Sequence, residues 1–110
     1  MKYFFTLIIL FSGASIFSQT APNFTVTTSD GDVRNLYNDY LNQGKVVVIE
    51  AFFTTCPPCN THAPYWQALY QSQLTAHPNK VEFMMLSTLQ SDNNTKVAIY
   101  KNSKGLTMPG

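Results

Sequence analysis

Two largely apolar runs, 46–53 and 80–86, dominate the hydrophobic pattern and predict buried strands. Each run is followed by a segment in which apolar residues recur at helical spacing, and this predicts helices over 57–75 and 95–103. Because the first run is apolar at nearly every position, both faces of its strand are expected to be covered. The order strand, helix, strand, helix is typical of an α/β fold with three layers.

The segment before the first run predicts a β-hairpin. Residues 24–28 alternate and are rich in β-branched side chains, residues 33–36 form the returning strand, and the Asp30-Gly31 pair between them is a strong turn signal. A short helix is predicted over 37–41, ended by Asn42-Gln43-Gly44.

The helical repeat also predicts which side chains enter the core. The candidates are Trp66, Leu69, Tyr70 and Leu74 in the first helix, and Val97, Ile99 and Tyr100 in the second.

Residues 1–18 have the order of a secretory signal peptide. Lys2 supplies one positive charge, an apolar stretch covers 3–11, and the small residue Ser18 stands at the predicted cleavage point. The apolar stretch is too short to span a bilayer comfortably, so no stable membrane insertion is expected after cleavage. The mature chain is therefore expected to be one domain, 19–110, exported to the periplasm or outside the cell.

The charge distribution excludes several kinds of partner. The formal charge of the whole chain is +1, and removing Lys2 lowers it to 0. The remaining basic residues are scattered along the sequence, which argues against binding to nucleic acid or to a membrane surface.

The chain has two cysteines, Cys56 and Cys59, and they follow the first predicted strand where the helix begins. Two thiols at this spacing indicate a thiol–disulfide exchange site, because they can close a disulfide through a mixed-disulfide step. At the start of a helix, free N–H groups and the helix dipole lower the pKa of a thiol from its usual value of about 8.5. Cys56 is therefore predicted to attack, and Cys59, one turn inside and less exposed, to resolve. A static structural disulfide is the alternative.

Four further residues are predicted to support this site. Pro57 and Pro58 fit the first turn of the helix, whose N–H groups lack partners within the helix. Glu50 is the charged residue within the first strand, so it is interpreted as a buried acid beneath Cys59 that takes the proton of the resolving thiol. A carboxylate at the strand end that points to water is the alternative. Pro64 lies inside the predicted helix and is expected to kink it, tilting the dithiol toward a substrate.

Together these residues resemble the thioredoxin-like superfamily, in its exported redoxin (TlpA-like) and cytochrome-maturation branch. The resemblance covers 21–110 and rests on Ala21-Pro22-Asn23-Phe24, Asp30-Gly31, Gly44-Lys45 with the strand after it, Cys56-Pro57-Pro58-Cys59, and Pro64. It implies a sheet flanked by helices and an oxidoreductase with Cys56 as nucleophile, Cys59 as resolving cysteine, Glu50 as buried acid and Pro64 as helix proline. It also implies client proteins with disulfides or thiols. An upstream reductant is expected as well, the chain is expected to be a monomer, and no cofactor or metal is expected.

The sequence departs from the family pattern at three places. Thr55 stands where the family usually has Trp, and His62 stands where relatives often have Glu. The family's cis-proline loop comes after the second helix, and Pro109 is too early to supply it. The domain is therefore expected to lack its C-terminal strands and last helix.

Two other functions are weighed against the oxidoreductase. A peroxide-reducing enzyme needs Thr three residues before its reactive cysteine and Pro ahead of that, but Phe53 and Ile49 occupy these positions. A non-catalytic binding module or metal-binding protein would use Cys56, Cys59 and His62, although structural zinc normally takes four ligands. Haem attachment needs His directly after Cys59, where Asn60 stands.

Overall fold

The two apolar runs form a pair of parallel strands, which confirms the predicted core of the fold. The computed structural model describes residues 19–110, so the signal-peptide prediction for 1–18 lies outside the described residues. The elements are β1 (Thr25–Thr27), β2 (Val33–Asn35), α1 (Leu36–Asp39), a 3-10 helix (Leu41–Gln43), β3 (Val46–Phe52), α2 (Pro57–Ala76), β4 (Val81–Ser87) and α3 (Asn94–Lys104). The order of the strands and α-helices matches the prediction, the 3-10 helix is an addition to it, and the mixed α/β fold is confirmed.

Strand pairing follows from the lengths of the connections. β1 and β2 form the predicted antiparallel hairpin, with Thr25 opposite Asn35. β3 and β4 run parallel, from Val46 opposite Val81 to Phe52 opposite Ser87, and α2 is the crossover between them. This topology places the carboxyl ends of β3 and β4 side by side, where α2 and α3 begin.

The core lies on the sheet face that carries Phe52 and Phe83. Side chains alternate along each strand, so these residues share one face with Val48 and Met85. The Phe52 ring lies 5.1 Å from that of Tyr100 in α3, and Phe83 meets the rings of Trp66 and Tyr70 in α2 at 6.4 and 5.5 Å. α2 and α3 therefore cover the same face and enclose a buried cluster.

The predicted core of the helices is only partly right. Trp66, Tyr70, Val97 and Tyr100 pack into the core, as predicted. Leu69, Leu74 and Ile99 were expected there too, but they are 43%, 36% and 63% exposed. At 100° per residue these three positions turn away from the sheet, and the smaller Ala63 fills the place beneath α2 at 1% exposure.

The expectation that both faces of β3 are covered is wrong for the described residues. Ile49 is 40% exposed and Val46 is 59% exposed. Within residues 19–110, β3 has a hydrogen-bonded strand along one edge, and Ile49 lies on the face opposite the helices.

A buried lysine joins α3 to the hairpin. Lys101 is 5% exposed, and its Nζ lies 3.0 Å from Asp30 Oδ2 and 3.4 Å from Ser29 Oγ in the β1–β2 turn. The turn is held from a second side by the chain after α3, since the Ser29 N–H donates to the Gly110 carbonyl at 2.6 Å. The same tail lies beside β4, where the Met85 N–H donates to the Pro109 carbonyl at 2.8 Å.

Between residues 19 and 110, none of the helices combines the length and the apolar character needed to cross a bilayer.

Candidate active site

The strand-to-helix junction after β3 holds the two cysteines in a disulfide. The sulfur atoms are 2.06 Å apart and the Cα atoms 5.2 Å apart. Cys56 is the N-cap of α2, with extended backbone angles (φ −82°, ψ 109°), and Pro57 and Pro58 occupy the first helical positions as predicted. The helix begins here because both prolines suit its first turn and neither needs an N–H partner.

The Cys56 sulfur accepts a hydrogen bond from the start of α2. The Cys59 N–H donates to Cys56 Sγ at 3.2 Å. The Asn60 N–H donates to the Cys56 carbonyl at 3.1 Å and forms the first regular helical bond. Since the two prolines carry no N–H, the Cys59 amide is the donor that the first turn offers to the sulfur.

The relative exposure of the cysteines differs from the prediction. Cys56 is buried, at 7% exposure, whereas Cys59 is partly exposed and packs against the core cluster. The segment ahead of Cys56 forms a turn, in which the Cys56 N–H donates back to the Phe53 carbonyl at 3.1 Å. In this oxidised form exposure does not single out Cys56, but the hydrogen bond to its sulfur does.

Glu50 is buried in β3, as the sequence indicates. It is 8% exposed, and its Oε2 atom is fully buried without a hydrogen-bond partner among the described residues. Loss of water around the carboxyl raises the pKa of Glu50 above its ordinary value. Glu50 lies on the same sheet face as Phe52 and is close enough to raise the pKa of Tyr100, after the larger effect of burial on that phenol.

Pro64 lies inside α2, which runs without interruption from Pro57 to Ala76. Because proline has no N–H, the carbonyl of Asn60 loses its usual helical donor at this point. The missing hydrogen bond at Pro64 lies about one turn beyond the dithiol.

A hydrogen-bonded carboxylate, Asp92, holds the loop that precedes Cys56, and the sequence did not reveal it. Asp92 accepts from the Thr54 N–H at 2.9 Å, from the Thr54 hydroxyl at 2.7 Å and from the Ser87 hydroxyl at 2.6 Å. It lies just before Asn93, the N-cap of α3, so it joins the two loops that follow β3 and β4. The parallel pairing of β3 and β4 was the signal that could have brought these loops together.

We expect Asp92 to make the stability of this loop sensitive to acid. The hydroxyl of Ser87 and then that of Thr54 lower the pKa of Asp92 by donating to its ionised form. A carboxyl with a depressed pKa contributes stability above its ordinary pKa of about 4, and that contribution is lost as the pH falls through the lower folded value. The melting temperature of Asp92→Asn, followed by circular dichroism, should therefore fall less steeply than that of the wild type below about pH 4.

Asp32→Asn is the matched control, because Asp32 is an exposed hairpin carboxylate whose partner is Arg34. An Asp92→Asn profile parallel to the wild type would contradict the role given to these hydrogen bonds.

His62 is not gathered with the cysteines into a ligand set. It lies on the exposed side of α2, with its ring 6.2 Å from that of Tyr65. Across the described part of the chain, no group of three or more His, Cys, Asp or Glu side chains is placed to hold a metal ion.

Comparison with known proteins agrees with the geometry. The redoxin family model matches residues 18–109. No curated protein sequence matches the chain.

Among solved structures, the chain is similar to a candidate protein disulfide isomerase from Bacteroides thetaiotaomicron (24% identity, TM-score 0.67, covering 81% of this chain and 52% of that one). It is also similar to a thiol:disulfide interchange protein of the thioredoxin family from Chlorobium tepidum (26% identity, TM-score 0.60, covering 81% of this chain and 56% of that one). A third similar structure is a secreted disulfide oxidoreductase from Mycobacterium tuberculosis (22% identity, TM-score 0.62, covering 78% of this chain and 57% of that one).

The chain thus spans little more than half the length of these structures. The family match covers nearly all of the described residues and includes the whole dithiol site. The chain therefore belongs to the redoxin family, within the thioredoxin-like superfamily.

Proposed function

We propose that this protein is an exported thiol–disulfide oxidoreductase that reduces or exchanges disulfides of client proteins. The observation that carries the proposal is the Cys59 N–H pointing at Cys56 Sγ, 3.2 Å away, at the start of a helix. A donor in this position favours the thiolate of Cys56, which is the form that attacks a disulfide. Cys59 is already within bonding distance of that sulfur.

The reaction that this arrangement supports has two steps. The Cys56 thiolate attacks one sulfur of the client disulfide, so that bond breaks, the other client sulfur leaves as a thiolate, and a mixed disulfide forms. The Cys59 thiol then loses its proton and attacks Cys56 Sγ, which releases the second client thiolate. The client gains two electrons, and the enzyme is left with the Cys56–Cys59 disulfide, which an upstream reductant must reduce again.

Glu50 is the proposed acceptor of the Cys59 proton. A general base works best when its pKa lies near the working pH, and burial moves the pKa of Glu50 in that direction. Its unpartnered Oε2 is free to receive the proton. Pro57 and Pro58 would keep the ring stiff, and Pro64 would tilt the first turn toward the client.

Export and processing also belong to the proposal. Residues 1–18 would be removed as a signal peptide, leaving residues 19–110 as a thioredoxin-like domain that works as a monomer in the periplasm or outside the cell. The similar protein from Mycobacterium tuberculosis is described as secreted, which supports this location. An oxidising compartment would also supply client disulfides.

The proposed function is tested by alkylating the reduced full chain with iodoacetamide across a range of pH. Cys59→Ser isolates Cys56, and Cys56→Ser isolates Cys59. We expect the Cys56 thiol to titrate at least about one pH unit below the ordinary value of about 8.5, and Cys59 not to do so. Equal rates with both thiols titrating near the ordinary value would refute the proposal.

A further inference from the structure

A cavity lies beside the dithiol, between the start of α2 and one face of α3. Its volume is about 340 Å³. Thr54 and Asn60 line it on the dithiol side, two residues before Cys56 and one after Cys59. The α3 side is formed by Lys96, Ile99, Tyr100, Ser103 and Lys104. A client that reaches the cysteines would therefore have this cavity next to it.

The lining carries two lysines and no carboxylate, and the nearest acid, Asp92, binds Thr54 and lies close enough to Lys96 to feel its charge without forming an ion pair with it. The six carboxylates of residues 19–110 are used elsewhere: Asp30 pairs with Lys101, Asp32 with Arg34 and Glu82 with Lys45, while Asp39 accepts the Asn35 N–H, Glu50 is buried, and Asp92 accepts from Thr54 and Ser87. Within the same residues, the cations outside these ion pairs are Lys80, Lys96 and Lys104. Two of these three lysines line the cavity.

The two lysines remain available to a ligand. Lys96 Nζ donates to the Ser91 carbonyl at 2.7 Å, which uses one of its three protons. Lys104 is exposed in the last turn of α3. A negatively charged ligand could therefore contact both without breaking an ion pair.

The remaining lining suits a polypeptide better than a small anion. Asn60 adds an amide side chain to the lining, and an amide can both donate to and accept from a peptide backbone. Ile99 presents an apolar side chain that is 63% exposed. A client segment could thus place its backbone near Asn60, an apolar group on Ile99 and its carboxylates at Lys96 and Lys104.

We infer that this cavity binds an acidic segment of the client polypeptide next to the client disulfide, so that clients with Asp or Glu beside a cysteine are preferred. The inference rests on the proposed function, because it names the class of client that the dithiol reduces. It assigns substrate preference to Lys96 and Lys104, which take no part in the exchange of electrons.

The test uses two synthetic peptide disulfides of equal length, one flanked by Glu and the other by Lys, with the full chain as enzyme. We expect kcat/KM to favour the Glu-flanked peptide by about three- to tenfold at low salt, and added salt to shrink that ratio. The double variant Lys96→Glu and Lys104→Glu should bring the ratio to one or reverse it. Lys80→Glu makes the same charge change at one residue, in the turn between α2 and β4, and should keep the wild-type ratio.

Three results would overturn the inference. The wild type could show equal kcat/KM for the two peptides, or the double variant could keep the wild-type preference. Lys80→Glu could also lower the preference as much, for each charge changed, as the double variant does. In each of them the chain still reduces peptides, so the proposed function stands. Failure to reduce either peptide, in contrast, counts against the proposed function as well as the inference.

Discussion

Replacing Cys56 by serine is expected to lower the rate of insulin disulfide reduction at least about 100-fold. The serine hydroxyl is not ionised near neutral pH and cannot attack a disulfide. In the proposed mechanism the Cys59 N–H, 3.2 Å from the Cys56 sulfur, stabilises a thiolate there and has no comparable effect on a neutral alcohol. The rate is followed as turbidity of the precipitating insulin chain, with dithiothreitol as reductant.

The companion variants separate the roles of the two thiols. Once it has been reduced and freed of dithiothreitol, Cys59→Ser should still attack once and then accumulate a mixed disulfide that mass spectrometry detects, because no second thiol releases it. Thr55→Ser alters the exposed residue next to Cys56 without touching either sulfur and should keep nearly full activity. If Cys56→Ser retains more than about a tenth of the wild-type rate, the assignment of the nucleophile is wrong.

Replacing Glu50 by glutamine is expected to slow release of the mixed disulfide by about 100-fold, within the range that a positioned general base contributes. Glutamine keeps the size of the side chain but cannot accept the Cys59 proton near neutral pH. The measurement is the decay of a mixed disulfide between Cys56 and a labelled peptide in single-turnover experiments. The first attack, which does not use the carboxylate, should keep its rate.

The same variant has a second signature, in stability. A carboxyl whose folded pKa is raised binds its proton more tightly when folded, so folding stability is lost as the pH rises from the ordinary pKa of about 4.3 through the raised value. Each unit of increase is worth about 1.4 kcal/mol. Glu50→Gln should lack this loss, so its free energy of unfolding relative to the wild type should improve between acidic and neutral pH.

Glu82→Gln is the matched control, because Glu82 is the carboxylate of the neighbouring strand and is paired with Lys45 at 3.0 Å. It should leave the decay of the mixed disulfide unchanged. Equal decay rates for the wild type and Glu50→Gln would show that water or another group takes the proton.

Local sequence was enough to predict the elements of this fold. β3 and β4 are short apolar runs, α2 begins at two prolines, and Asp30-Gly31 turns the hairpin; each signal depends on neighbouring residues alone. Burial depends on what lies across from a residue. Ile99 and Leu69 have apolar side chains at helical spacing, yet they are exposed because their helices are rotated so that Tyr100 and Trp66 meet the sheet.

The same distinction holds at the site. Cys56, Cys59, Glu50 and Pro64 stand at fixed spacings, so their sequence positions carried enough information to select them as candidates. Asp92, which binds the loop before Cys56, could not be selected in this way, because it lies 38 residues from its partner Thr54. A lone Asp between Ser91 and Asn93 resembles any solvated turn until β3 and β4 are paired.

The proline pair at the start of α2 has one practical consequence. Pro57 and Pro58 give no amide signal, so the amide proton of Cys59 is the backbone proton that reports directly on the Cys56 sulfur. In a nitrogen–proton correlation spectrum, a single cross-peak would then register ionisation of that sulfur, formation of the mixed disulfide and closure of the ring as three separate positions. The chemistry of the enzyme could be watched at one nucleus without any label on the client.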